Sequence, residues 1–276
     1  MAETDAPEPT SREPLEADTD APSSCPARVV RCEKVLRART GRVLLVLDRI
    51  HDPHNEAAVH RTAEALGVQH VWSVNPVLVD KKKRSAKRGA KTVAKGADAW
   101  LSLRRFDDPE ACVAALLADG WEIWCAADGA GALPLAAARP ACVAAAPKVA
   151  VVVGREADGC DAAFLAAAAR RVFVEMVGFT TSFNLSVATA LILQRVFDWF
   201  PAWRGDLDRG ERDALRDAWR PAIAKNDTAK RKLDAWLDAP ETIRGAASEA
   251  ATVSCGSWAP KDFREREKKA REGAKG

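Results

Sequence analysis

The chain has no apolar run approaching the roughly 18 residues that a membrane-spanning helix needs. Its N-terminus, MAETDAPEPTSREPLEADTDAPSS, has neither the basic start nor the apolar stretch of a secretory signal. The seven cysteines (25, 32, 112, 125, 142, 160, 255) contain no CxxC pair. An odd, scattered set argues against a disulfide framework or a zinc site, and fits reduced thiols in a cytoplasmic protein. There is no GxGxxG, GxxxxGK[ST], HExxH or GxSxG, which disfavours a dinucleotide fold, a Walker loop, a zincin and a hydrolase elbow. His51 and His54 flank Asp52 and Pro53 without a third ligand, so no metal is expected. No internal repeat is visible.

What is present is enough for a core, since 47% of the 276 residues are apolar. The net charge of +3 hides an uneven distribution. Residues 1–26 are acidic and Pro-rich and read as a disordered tail. Residues 81–95 carry eight cations and no acid, among them Lys81, Lys82, Lys83, Arg84, Lys87 and Arg88. Such a cluster suits a polyphosphate partner through counterion release, or else it is a solubilising loop.

Helical spacing in 27–39 predicts a helix ended by Gly41. VLLVL (43–47) is apolar throughout, as a strand buried on both faces would be. EAAVHRTAEALGV then reads as an amphipathic helix stopped by Gly67, and QHVWSVNP as a strand. This βαβ grammar recurs, predicting a parallel α/β sheet. ADAWLSLRRF, WEIWCAAD, KVAVVVG and RVFVEM (171–176) are further strand candidates. PEACVAALLADG, CDAAFLAAAAR (160–170) and FNLSVATALILQRVFDWF are helix candidates. Beyond Phe200, residues 201–260 show helical spacing rich in Trp and charge, and 261–276 form a charged tail.

Three stretches carry candidate chemistry. In HDPHNEAAVHRTAEALGV, Asn55 occupies an expected helix N-cap and Arg61 lies on the helix that follows. In VVVGREADGC, a buried strand runs into Gly154, Glu156 and Gly159, at the sheet edge where ligands bind in open α/β folds. In EMVGFTTSFNLSVATA, Gly178 permits a bend, and Ser182 and Asn184 cap a helix whose free N–H groups can hold an anion.

Together these stretches resemble the three motifs of the SpoU/TrmH family of RNA ribose 2′-O-methyltransferases. The first matches as Pro53, Asn55, Arg61, Thr62, Ala63, Gly67 and Val68. The second matches as Gly154, Glu156 and Gly159, and the third as Met176, Gly178, Ser182, Asn184, Ser186 and Ala188. Order and spacing agree over about residues 28–198. The chain departs from the pattern at Glu175, Phe183 and Leu185, and in the basic KTVAKGADAW.

The resemblance implies a parallel-sheet α/β fold with a deep trefoil knot over 27–200, carrying helical N- and C-terminal extensions. It also implies a homodimer whose site is completed by the partner subunit, and S-adenosylmethionine as cofactor, held through Ala127, Gly154, Met176 and Leu185. Arg61 would be the key residue: an RNA phosphate bound to it would help it take the 2′-hydroxyl proton, or else it would only orient the phosphate and ribose. Asn55 would hold its region, while Glu156, Ser182 and Asn184 shape the substrate side. Arg39, together with the basic run, would reach RNA phosphate. HDPHN and the helix RCEKVLRAR are most similar to the branch acting on a guanosine of tRNA. The alternatives are a ribosomal RNA methyltransferase and an inactive RNA-binding paralogue.

Overall fold

The computed structural model describes residues 27–74, 96–139, 148–224 and 227–237. Helix α1 (Ala27–Ala38) passes directly into β1 (Thr40–Asp48). The chain continues as α2 (Pro53–Leu66), β2 (Val68–Val74), β3 (Ser102–Phe106), α3 (Pro109–Ala118), β4 (Trp121–Ala126) and the short β5 (Leu133–Pro134). Then come β6 (Lys148–Val153), α4 (Ala162–Ala167), β7 (Arg170–Phe173), α5 (Leu185–Trp199), α6 (Arg209–Ile223) and α7 (Asp227–Leu237). The strands form one seven-stranded sheet in the order β3-β2-β1-β6-β4-β7-β5, with every pairing parallel.

The apolar runs of β1 and β6 are central because they have two faces to bury. Val43, Leu45 and Leu47 join Val149, Val151 and Val153 on one face, covered by α2 (Val59, Ala63) and α5 (Ile192, Leu193, Val196). Leu44, Val46, Ala150 and Val152 point the other way, against Cys112 and Leu116 of α3 and Phe164 of α4. Each such fully buried aliphatic side chain contributes about 1.5–3 kcal/mol of transfer free energy. A third cluster joins Cys32 and Leu36 of α1 to Leu215, Trp219 and Ile223 of α6, so the C-terminal extension packs back on the N-terminal helix.

The structure departs from the sequence reading in three elements. Gly41 does not end α1; it lies inside β1, where its N–H donates to Asp206 Oδ1 at 2.9 Å. The helix stops instead because Arg39 turns into the interior and the Thr40 N–H reaches Gly67 O at 2.9 Å. ADAWLSLRRF is not one strand: Ala97–Trp100 is a 3-10 turn before β3, and it brings the Trp100 and Trp219 rings to 5.3 Å. The strand expected over 171–176 ends at Phe173, after which the chain leaves the sheet. The acidic tail, the basic run from Lys81 to Lys95 and the charged C-terminal tail lie outside the described residues.

Candidate functional site

Because the sheet is parallel, β6, β4 and β7, which are neighbours, end on the same edge. Ala126, Val153 and Phe173, at or next to those strand ends, line a cleft of about 720 Å3. Its lining includes Ala127, Gly154, Met176, Ser182 and Leu185 from the expected set. The Ala127 N–H is engaged with Val172 O at 3.0 Å. Gly154 has to be glycine: a Cβ there would stand 2.2 Å from the Gly159 carbonyl carbon. The two residues are drawn together by a closed turn in which Arg155 N donates to Gly159 O (3.1 Å) and Gly159 N to Arg155 O (2.8 Å), with Gly159 at φ +70°.

That turn carries Glu156 toward the other two motifs. Asn55 Nδ2 donates to Glu156 Oε1 at 3.1 Å. Asn184 Nδ2 donates to Asn55 Oδ1 at 3.2 Å. The Leu185 N–H also donates to Glu156 Oε1, at 3.4 Å. One hydrogen-bond chain therefore ties all three motifs together at the mouth of the cleft.

Two capping assignments are corrected. The N-cap of α2 is Asp52, whose carboxylate accepts the His54 N–H at 2.9 Å. Pro53 sits at the first helical position, where a missing N–H costs nothing. Asn55 is thereby released from capping and pairs with Glu156. In the third motif Asn184 alone caps α5, accepting from Ser186 N at 3.0 Å and Ser186 Oγ at 2.7 Å. Ser182 is exposed on the cleft wall and takes no part in the cap. Gly178 is not in a left-handed conformation, and a Cβ there would meet nothing closer than Thr180 Oγ1 at 3.9 Å.

Arg39 is also corrected. It is fully buried, so it cannot meet RNA phosphate in this conformation. Its guanidinium donates to Val68 O at 2.9 Å and to Glu64 Oε1 at 2.8 Å, bracing the C-terminal end of α2. Arg61 is exposed but stands apart from the cleft, on the wall of a second cavity beside α1 and α6.

A pair missed in the sequence holds the Gly154–Gly159 turn from below. Asp48, fully buried at the end of β1, accepts the Asp161 N–H at 2.6 Å. Arg49, the one non-glycine residue at positive φ (+58°) among those described, donates to Asp48 at 3.1 Å and pairs with Asp161 at 3.4 Å. Burial pushes the Asp48 carboxyl up from its ordinary range, while the bonds from Arg49 and the Asp161 amide act against that. The signal was an Asp-Arg pair closing an apolar strand. Among the described residues no group of three or more His, Cys, Asp or Glu could hold a metal ion.

Residues 42–194 match the model of the SpoU rRNA methylase family. This chain belongs to that family. The tRNA (guanosine(18)-2′-O)-methyltransferase of Thermus thermophilus is 31% identical over 196 residues, covering 69% of this chain and 89% of that protein. The enzyme of the same name from Borreliella burgdorferi is 30% identical over 198 residues, covering 71% and 85%. Among solved structures, the Aquifex aeolicus TrmH/SpoU tRNA modifying enzyme superposes with a TM-score of 0.58 at 22% identity, over 69% of this chain and 94% of that one, a likeness of fold. All three SpoU motifs fall inside the matched segment, while α1, α6 and α7 fall outside it.

Proposed function

We propose that this chain methylates a ribose 2′-hydroxyl of RNA, with a tRNA guanosine as substrate and S-adenosylmethionine as donor. The observation that carries the reading is the Asn55–Glu156–Asn184 junction at the mouth of a strand-end cleft. The cleft fits the cofactor. Its volume lies within the usual range for a ligand of that size. Its floor is a glycine turn that a side chain would fill, and its walls (Val153, Val172, Leu185, Ile192) suit an adenosine ring. Ala127, Gly154, Met176 and Leu185 would hold it. When bound, it supplies an electrophilic methyl group.

A ribose hydroxyl is a weak nucleophile at neutral pH, so this chain contributes mainly by orienting it. Glu156, locked by Asn55 and the Leu185 amide, sets one wall of the ribose position. Arg61 is solvent-exposed, and its guanidinium offers paired donors that suit anchoring an RNA phosphate.

Arg61 and the cleft face different parts of one chain, which supports a homodimer in which Arg61 of the partner subunit completes each site. The exposed apolar residues support the same reading: Met176, Val177, Phe179 and Phe183 lead into Val187 and Leu191 on α5. The strand order, with β7 placed beyond β4, and the return of α5 onto α2 support the trefoil knot. Among the described residues no helix is long and apolar enough to cross a membrane. A cytoplasmic location goes with the proposed tRNA substrate.

The test is transfer of labelled methyl from S-adenosylmethionine to unmodified tRNA and, separately, to ribosomal RNA, with Arg61→Ala alongside. Ribose-methylated tRNA, reduced at least ~100-fold in the variant, is expected. Labelling of ribosomal RNA alone moves the substrate and keeps the chemistry. Cofactor binding without transfer to either RNA sinks the enzyme reading.

A further inference from the structure

The cavity that holds Arg61 has a composition of its own. It measures about 490 Å3, and its walls come from α1, α2, the turn before β3, and α6. Arg31 and Arg61 line it with Trp100 and Trp219, which meet edge to face at 84°. Glu64 is the acid in its lining, and that carboxylate is already paired with buried Arg39 at 2.8 Å. Glu33, close to Arg31 in sequence, is engaged by Arg216 at 2.6 and 3.0 Å. Arg31 and Arg61 are both exposed and make no ion pair among the described residues. The cavity therefore combines net positive charge with an indole surface.

From this we infer that the cavity is a nucleotide pocket for an unpaired residue of the RNA substrate, with its phosphate between Arg31 and Arg61 and its base against Trp100. Two guanidinium groups recognise a phosphate through charge and paired donors. An indole supplies the flat apolar surface on which an unstacked base settles, and unpaired RNA is what offers such a base. The volume lies in the range that takes a single small ligand. Arg31 and Trp219 lie outside the matched segment 42–194, so the pocket joins the family's arginine to the extensions of this chain. The inference rests on the RNA-methyltransferase reading, and it extends the phosphate contact of Arg61 into a base-holding pocket on the same chain.

The test is binding of a fluorescently labelled, unmodified tRNA transcript to the full chain by anisotropy across a salt series. Wild type, Arg31→Gln, Arg31→Lys and Trp100→Leu are compared. Arg31→Gln is expected to weaken binding ~10-fold and to lower the slope of log K against log salt by about 1, the signature of one lost phosphate contact. Arg31→Lys retains that slope. Trp100→Leu weakens binding ~10-fold with the slope unchanged, as loss of a stacking surface requires. Arg31 is on the surface, so its variants fold whether or not Trp100→Leu does. An unchanged slope in Arg31→Gln overturns the pocket, whatever Trp100→Leu shows. Methyl transfer by wild type is scored separately; its absence sinks the enzymatic reading and leaves the binding result standing.

Discussion

Asn55 is a two-sided connector: its amide nitrogen donates to Glu156 while its oxygen accepts from Asn184. Asn55→Asp is therefore expected to do more damage than Asn55→Ala. The aspartate cannot donate, and it sets a second carboxylate about as far from Glu156 as the 3.1 Å bond it replaces. Methyl-transfer assays should show at least a ~10-fold loss for the alanine variant and a larger loss for the aspartate, because carboxylate repulsion drives Glu156 away as well as removing its donor. Equal losses would argue against the junction. Asp48 makes a pH prediction. Its folded carboxyl holds a proton above the ordinary value of 3.8, so between that value and its raised one the native state binds more protons than the unfolded state. Stability then falls as pH rises through that window. In urea titrations, the wild-type midpoint should drop relative to that of Asp48→Asn as pH rises from about 4. Burial also pushes the Cys32 and Cys112 thiols up to about 12, so neither should react with iodoacetamide at pH 8 until the chain is denatured. Residue identity was readable at Asn55, Glu156 and Asn184, but the job of Asn55 was not. Its motif position suggested a cap, although the Asp-Pro before it was the better helix-start signal.

At the scale of the element, the Gly154–Gly159 turn concentrates the steric demand. A Cβ on Gly154 meets backbone rather than a movable side chain. Gly154→Ala should therefore open the turn, displace Glu156 and abolish cofactor binding as measured by calorimetry, while costing about 1–3 kcal/mol in stability. Retained binding would show that the turn relaxes without involving the cleft. The strands of this sheet were legible because burial on two faces leaves continuous apolar runs, as in VLLVL and KVAVVV. β3 was only half legible. Its tryptophan belongs to a 3-10 turn that exists to reach Trp219, a contact with a helix more than a hundred residues later, which local periodicity does not report. The burial of Arg39 was hidden for the same reason: its acceptors, Val68 O and Glu64, lie more than twenty residues beyond the helix it follows. A charged residue in a basic helix reads as surface until its partners are known.

The whole molecule poses the question of its second copy. Val177 and Phe179 are fully exposed in the single chain, and Leu191 lies one turn beyond Val187 on the same side of α5. On the proposed dimer, Leu191→Asp should give a monomer in sedimentation and lose methyl transfer with it, since each cleft would then lack the arginine of its neighbour. A monomeric wild type would remove the need for a partner. Periodicity alone would not reveal such a face, because an apolar face that met another subunit would carry the same pattern as one that meets its own core.

The Asn55–Glu156–Asn184 chain also has a consequence in time. Its links span 101 and 129 residues, so each closes a long loop before it gains anything. A chain emerging from the ribosome acquires Asn55 early, gains Glu156 only after most of the sheet has been made, and receives Asn184 later still. A translation product that stops short of α5 holds all seven strands, yet it lacks the residue that closes the junction. Competence to modify RNA thus waits for Asn184, and a sheet complete without it has no junction to hold Asn55 and Glu156.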